Sequence, residues 1–322
     1  MKHIIIGALA ALALAGTAQA QQKLVLGHTN STTSHYGLGA TAFFEKLEEL
    51  SGGTFTGEQA PAGQLGGERD LIEGLQIGSV DLVITSTGPL GNFVPEALVL
   101  DLPFLFRDSE HARKTLDGEI GQELLAKIGE HDLVALAWAE NGFRNVTNNK
   151  HPVKSPDDLK GLKVRTMENK VHMAAFEGMG AAPTPMAFPE LFGALQQGVI
   201  DGQENPLAVI VSSKFWEVQK HASLTRHVYS PAIILASPSL INGLTDEQKG
   251  WFYEAAKAAV EANRAAVDRF DAEGVELLRS HGVEVITEVD ATPFREMAEK
   301  AAYGVYTDQY GTELVERIKA VE

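Results

Sequence analysis

From Thr245-Asp246-Glu247, which read as a helix start, Ala- and Glu-rich sequence runs toward His281. A helical run well beyond about 25 residues is longer than one compact domain ordinarily holds. A helix that spans two lobes accounts for it. At 322 residues and 44% hydrophobic content, the chain can bury the core that two lobes need.

The first twenty residues are set aside from the fold. Lys2 precedes the apolar run from Ile4 to Leu14, and Ala18-Gln19-Ala20 has the small-x-small form of a cleavage site. This reads as a secretory signal peptide over residues 1–20, with a mature periplasmic chain beginning near Gln21. The apolar run is too short for a membrane anchor. The chain has no cysteine, so disulfides, thiolate metal sites and a Cys nucleophile are excluded. The formal net charge of −16 argues against nucleic acid and anionic lipid as partners. It leaves room for an anionic ligand, because a few arginines in a cleft can hold one. No motif calls for a cofactor or a metal, no segment reads as membrane-inserted, and a monomer is expected.

Lys23 to His28 reads as a strand and His35 to Leu50 as a helix, with Tyr36, Ala40, Phe43, Phe44, Leu47 and Leu50 at helical spacing. A short strand at 54–58, a helix over 67–77 and a buried strand over 80–85 follow. This β-α-β-α-β rhythm predicts an α/β fold with mostly parallel sheets. Val94 to Phe106 reads as a buried connection, Ser109 to Ile128 as one helix with Ser109 as N-cap, and Asp132 to Ala139 as a strand. A second lobe then begins. It has a strand at 162–165, a helix at 171–179, a Pro-flanked strand or loop at 181–186, a helix at 189–197 and a very short strand at 199–202. His227 to Ser237 is β-like and returns the chain to the first lobe. The expected division is 21–141 and 231–271 for lobe I, and 142–230 and 272–322 for lobe II.

Several motifs have plain structural explanations. Gly37-Leu38-Gly39-Ala40-Thr41-Ala42 fits a dinucleotide fingerprint, but a polar loop intervenes after Leu26 and the tight strand-to-helix turn is missing. Helix packing is the preferred reading. His28 and His35 border the first loop, where capping or solvation is the commoner role. Asp201 and Glu204 flank a tight Gly turn and read as capping or turn-bonding groups. Arg144 and Arg165 differ from these: each ends an apolar strand-like run, and ligands of open α/β sheets bind at the carboxyl ends of strands. Arg is suited to a carboxylate because its planar fork donates two parallel hydrogen bonds. On the residues alone, the two are either ligand anchors or hinge salt bridges.

Arg144-Asn-Val-Thr-Asn148, Asp158-Leu-Lys-Gly-Leu-Lys-Val-Arg165, Gly180-Ala-Ala-Pro-Thr-Pro-Met-Ala-Phe188 and Asp201-Gly-Gln-Glu-Asn-Pro206 together resemble the DctP-type solute-binding proteins of TRAP (tripartite ATP-independent periplasmic) transporters. Gln64-Leu65-Gly66, Leu102-Pro103-Phe104 and the long late helix extend the resemblance over essentially the whole mature chain. It implies a two-lobed periplasmic binding protein without catalysis. A ligand cleft lies between the lobes, and the solute passes to a membrane permease driven by an ion gradient, usually sodium. By resemblance, Arg165 clamps a carboxylate and Arg144 assists directly or through water. Asn205 would bond the same region, and Phe188 would pack on the ligand. Thr29, Glu68, Ser86 and Thr87 fall where relatives vary their ligand contacts, and Glu168 would help select the substrate. The expected ligand is a C4-dicarboxylate, hydroxy acid or sugar acid, with a carboxylate-bearing zwitterion such as ectoine or an amino acid as the alternative. An exported enzyme using Glu68 or Glu168 as base, or a sensor's binding module, are the competing classes.

Overall fold

The structure, a computed structural model, describes residues 21–322, and the secretory leader read in residues 1–20 lies outside the described residues. The first part of the chain forms β1 (Gln22–Gly27), α1 (His35–Ser51), β2 (Phe55–Ala60), α2 (Glu68–Ile77), β3 (Leu82–Ser86) and α3 (Thr87–Leu90). A 3-10 segment at Pro95–Asp101 leads to α4 (Ser109–Asp117) and α5 (Glu119–Gly129). The long strand β4 (Val134–Asn148) crosses to a second group: β5 (Lys163–Thr166), α6 (Lys170–Gly178), β6 (Ala182–Pro185), α7 (Phe188–Gln196), β7 (Gly202–Pro206) and α8 (Leu207–Ser212). A second long strand, β8 (His221–Ala236), crosses back and precedes α9 (Pro238–Asn242) and α10 (Asp246–Ser280). β9 (Glu284–Ile286), α11 (Ala291–Tyr310) and α12 (Glu313–Lys319) end the chain.

Among the described residues the strands join in the order β2-β1-β3-β8-β4-β7-β5-β6, with β9 on β8. β1 pairs in parallel with β2 and β3, and β5 with β6 and β7, so each end of the sheet is a parallel triplet. The central pair, β4 and β8, is antiparallel and belongs to both ends. Val134–Ala139 and Ala232–Ala236 serve the first triplet, and Arg144–Asn148 and His221–Ser223 serve the second. The two lobes are therefore joined by two continuous strands. Register shifts interrupt this pair at Ala135/Ala137, Glu140/Gly142 and Arg144/Val146. Such bulges bend a strand and raise its twist, and here they fall where one pair of strands passes between the two parallel triplets of the sheet.

The long helix is α10, 35 residues from Asp246 to Ser280, with Thr245 accepting a hydrogen bond from Gln248 N as its cap. Its first half packs Phe252, Ala255, Ala256 and Ala259 into the core of the first lobe. Its later half lays Gly274 against Leu207 and Val211 of α8 in the second. Between them, buried Asn263 accepts from Glu140 N at 2.8 Å and donates to Glu140 O at 3.1 Å. That ties the helix to β4 where the strand passes between lobes.

The glycine-rich run at Gly37–Ala42 lies inside α1. A Cβ on Gly39 would stand 3.2 Å from Ala259 O of α10, and one on Gly37 would stand 2.3 Å from Thr32 O. Gly39 permits close packing of α1 on α10, the role read from sequence, while Gly37 makes room for the loop that precedes its own helix.

Three element readings change. The single helix expected over Ser109–Ile128 is two, because Gly118 takes an extended conformation (ψ −165°) that ends α4 and starts α5. The cap is Asp108, whose carboxylate accepts from His111 N, not Ser109. The short strand expected at 199–202 begins only at Gly202, since Asp201 is spent as a side-chain acceptor for Lys163 N at 3.0 Å.

Candidate functional site

Parallel strands of both lobes present their carboxyl ends toward one another. From the first lobe come Thr29 and Asn30 after β1, Glu68 opening α2 and Ser86 ending β3. From the second come Arg165 on β5, Met167 after it, Phe188 opening α7 and Asn205 on β7. With Tyr36, Asn141 and Val209, these line a narrow cavity of about 10 Å³. That is room for about one water, so the lining side chains stand close around the space. A more open groove of about 950 Å³ lies between α5, β4 and α10, but its Arg264 is already paired with Asp117 at 2.7 Å.

Arg165 is the cation of this cavity. It is 2% exposed. Nε and Nη2 donate to Met186 O at 2.9 and 2.6 Å, and Nη1 has no partner. The guanidinium carbon lies 5.8 Å from the Phe188 ring centroid. Burial pushes its pKa down to about 10, against the partial support of Glu204. A buried charge with an unused donor is costly. An incoming carboxylate supplies both the counter-charge and the missing acceptor.

Arg144 does not line the cavity. It is fully buried and grips Glu204 through Nε–Oε2 and through Nη2–Oε1 at 2.8 Å. Val146 pairs with Glu204 across the β4–β7 ladder, which makes Arg144 and Glu204 diagonal neighbours on one face. Burial opposes ionisation of Glu204, but Arg144 and the hydrogen bond from His227 at 3.1 Å outweigh it and hold the carboxyl well below its usual range. Glu204 is thus a buried counter-ion in mid-strand rather than the turn or capping group read from sequence. Nη2 of Arg144 also donates to Asn205 Oδ1 at 3.1 Å, and Asn205 Nδ2 bonds Gln203 Oε1. Arg144 therefore fixes the Asn205 amide from behind the cavity wall.

Thr87 and Glu168 likewise stand outside the lining. Thr87 donates to Asp101 at 2.9 Å, and the Glu168 carbonyl accepts from Asn92 at 2.7 Å. Neither His28 nor His35 lines the cavity. His28 meets Gln59 at 3.1 Å, and His35 meets Asn141 at 2.9 Å. Burial lowers both pKa values, that of His35 to about 4, so both are neutral props. The sequence does not mark Asn30, Tyr36, Asn141, Met167 and Val209 as site residues. Tyr36 sits in the helical apolar pattern of α1 and reads as core, Asn30-Ser31-Thr32 matches a glycosylation acceptor that reads as loop chemistry, and Asn141 has no motif of its own. Among the described residues, no group of three or more His, Cys, Asp or Glu side chains is placed to hold a metal, and no helix is long and apolar enough to cross a membrane.

Residues 26–308 match the family described as bacterial extracellular solute-binding protein, family 7. The chain belongs to this family, the solute-binding proteins of TRAP transporters. It is similar to a TRAP periplasmic solute-binding protein from Polaromonas sp. JS666 bound to D-erythronate, with a TM-score of 0.92 and 50% identity over 94% of this chain and 99% of that one. A protein from Bordetella with density assigned as pantoate matches with a TM-score of 0.91 and 50% identity, over 94% of this chain and 100% of the other. The 2,3-diketo-L-gulonate-binding periplasmic protein of Escherichia coli is 38% identical over 275 residues, 85% of this chain and 84% of its own length.

Proposed function

We propose that this chain is the periplasmic substrate-binding component of a TRAP transporter, which closes on a small carboxylate-bearing solute and hands it to the membrane permease without chemical change. The observation that carries the reading is Arg165, buried at the cavity with one guanidinium donor free. The relatives bound to erythronate and pantoate support a hydroxy or sugar acid as the solute. Arg165 anchors its carboxylate, Asn205 bonds beside it and Phe188 covers its apolar face. Thr29, Glu68 and Ser86 meet the far end. Arg144 acts through Asn205, Thr87 through Asp101, and Glu168 through the contact of its backbone with Asn92. The lobes divide at 21–141 with 231–271, and 142–230 with 272–322. The leader over residues 1–20 directs export.

A thermal-shift screen tests this on the mature protein. Organic acids should raise the melting temperature, because a ligand that binds only the folded state stabilises it. The matching amides and alcohols should not. An amide as effective as its acid contradicts the carboxylate reading.

A further inference from the structure

The cavity holds one other charged side chain besides Arg165, and it is an acid. Glu68 is 8% exposed and opens α2. Its Oε1 is saturated: it accepts from Thr85 Oγ1 at 3.0 Å, Ser86 N at 2.7 Å and Ser86 Oγ at 2.9 Å. Those three bonds fix the carboxyl group in place. Among the described residues, no donor reaches Oε2 and no Lys or Arg pairs with Glu68. Nearby, Asn30 Oδ1 is buried without a partner, and so is the Tyr36 hydroxyl. The free polar capacity of the lining thus includes a cationic donor at Arg165, a carboxylate oxygen at Glu68, the Asn30 amide, and the hydroxyls of Tyr36 and Thr29, which can give or take.

We infer that Glu68 makes this site selective for monocarboxylates with a hydroxylated tail and excludes dicarboxylates. The inference rests on the carboxylate reading of Arg165. With the first carboxylate on Arg165, the far end of the ligand meets the Glu68 carboxylate among neutral polar groups. Hydroxyl groups donate to Glu68 Oε2 and Asn30 Oδ1 and accept from Tyr36. A second carboxylate offers only acceptors and adds a like charge beside Glu68 in a closed space. Specificity then comes from repulsion as well as attraction. This narrows the expectation that grouped C4-dicarboxylates with hydroxy acids and sugar acids.

Calorimetry on the mature protein with matched acids tests it. D-Erythronate against succinate and 4-aminobutyrate compares four-carbon chains that differ away from one carboxylate, and galactonate against galactarate does so for six carbons. The better-fitting monoacid should bind at least about 100-fold tighter than its diacid partner, because like charges apposed without solvent cost several kcal/mol. In Glu68→Gln, which keeps the Oε1 acceptor, that ratio should shrink at least about tenfold. In Glu68→Asp, which keeps the charge, the diacid should stay excluded. Diacid binding equal to the monoacid in the wild type overturns the inference while leaving the Arg165 reading intact. So does a ratio unchanged in a folded Glu68→Gln variant, or 4-aminobutyrate binding tightest. If no acid binds, both readings fall.

Discussion

Arg144, Glu204 and His227 form a buried cluster that reaches the ligand cavity only through Asn205. Removing one partner of such a pair leaves an uncompensated charge, which is why the pair persists as a unit. Asp101 is another buried acid, close enough to this cluster to feel the charges of Arg144 and Glu204. It accepts from Thr87 and, at 3.0 Å, from Asn169. Burial pushes its pKa up to about 7 from an ordinary 3.8, although both hydrogen bonds and the Arg144 charge pull the other way. His172 stands 3.6 Å away, but burial lowers its pKa to about 3, so the contact is not an ion pair near neutrality. The sign follows from proton counting. Between the unfolded and folded values, the native state holds a proton that the unfolded chain has lost, so this group's contribution to stability falls as pH rises through that window. Above it the contribution is constant. The stability of the wild type relative to Asp101→Asn, from urea denaturation, should decline from pH 4 to pH 7 and then level. A flat difference across that range contradicts the assignment.

At the scale of elements, β4 does most of the positioning. It supplies core residues to the first lobe, Asn141 to the cavity wall and Arg144 behind Asn205. Gly142 lies at the bulge between lobes with φ 111°, and a Cβ there would come 3.2 Å from Pro206 Cβ. Gly142→Ala should cost about 1–3 kcal/mol, the range for a side-chain-bearing residue held in such backbone. Chemical denaturation measures this, and a variant as stable as the wild type rules out strain at the crossing. The long helix, the parallel strands and Arg165 were legible because hydrophobic period, strand-end position and motif report them locally. The Arg144–Glu204 pair was not, because it depends on the register of β4 against β7, a pairing between segments about sixty residues apart. Tyr36 was hidden for a similar reason: periodicity places it on the buried face of α1 but does not say that its hydroxyl meets a cavity.

For the whole molecule, the lobes meet beside the ligand cavity as well as through it. Asn92 Nδ2 donates to Glu168 O at 2.7 Å, Asn169 Nδ2 donates to Gly88 O at 3.0 Å, and Ser86 Oγ lies 3.3 Å from Met167 Sδ. These join the segment after β3 to the segment after β5. Of these, the Asn92 and Asn169 contacts lie outside the cavity lining, so in the proposed binding cycle they act on release rather than on selection. Asn92→Ala should raise the ligand off-rate by about 2–10-fold, the value of one ordinary hydrogen bond, with the ranking of ligands unchanged. Stopped-flow displacement measures it, and an unchanged off-rate removes Asn92 from the closure contacts. In the proposed function, the free donor of the buried Arg165 takes the carboxylate of a small acid. Calorimetric titration of folded Arg165→Ala with the best acid for the wild type tests that most directly. Charge-assisted hydrogen bonds contribute roughly 1.5–3 kcal/mol each, so affinity should fall by about 100-fold or more. An affinity within a factor of about three of the wild type, well below the value of one such bond, contradicts the account.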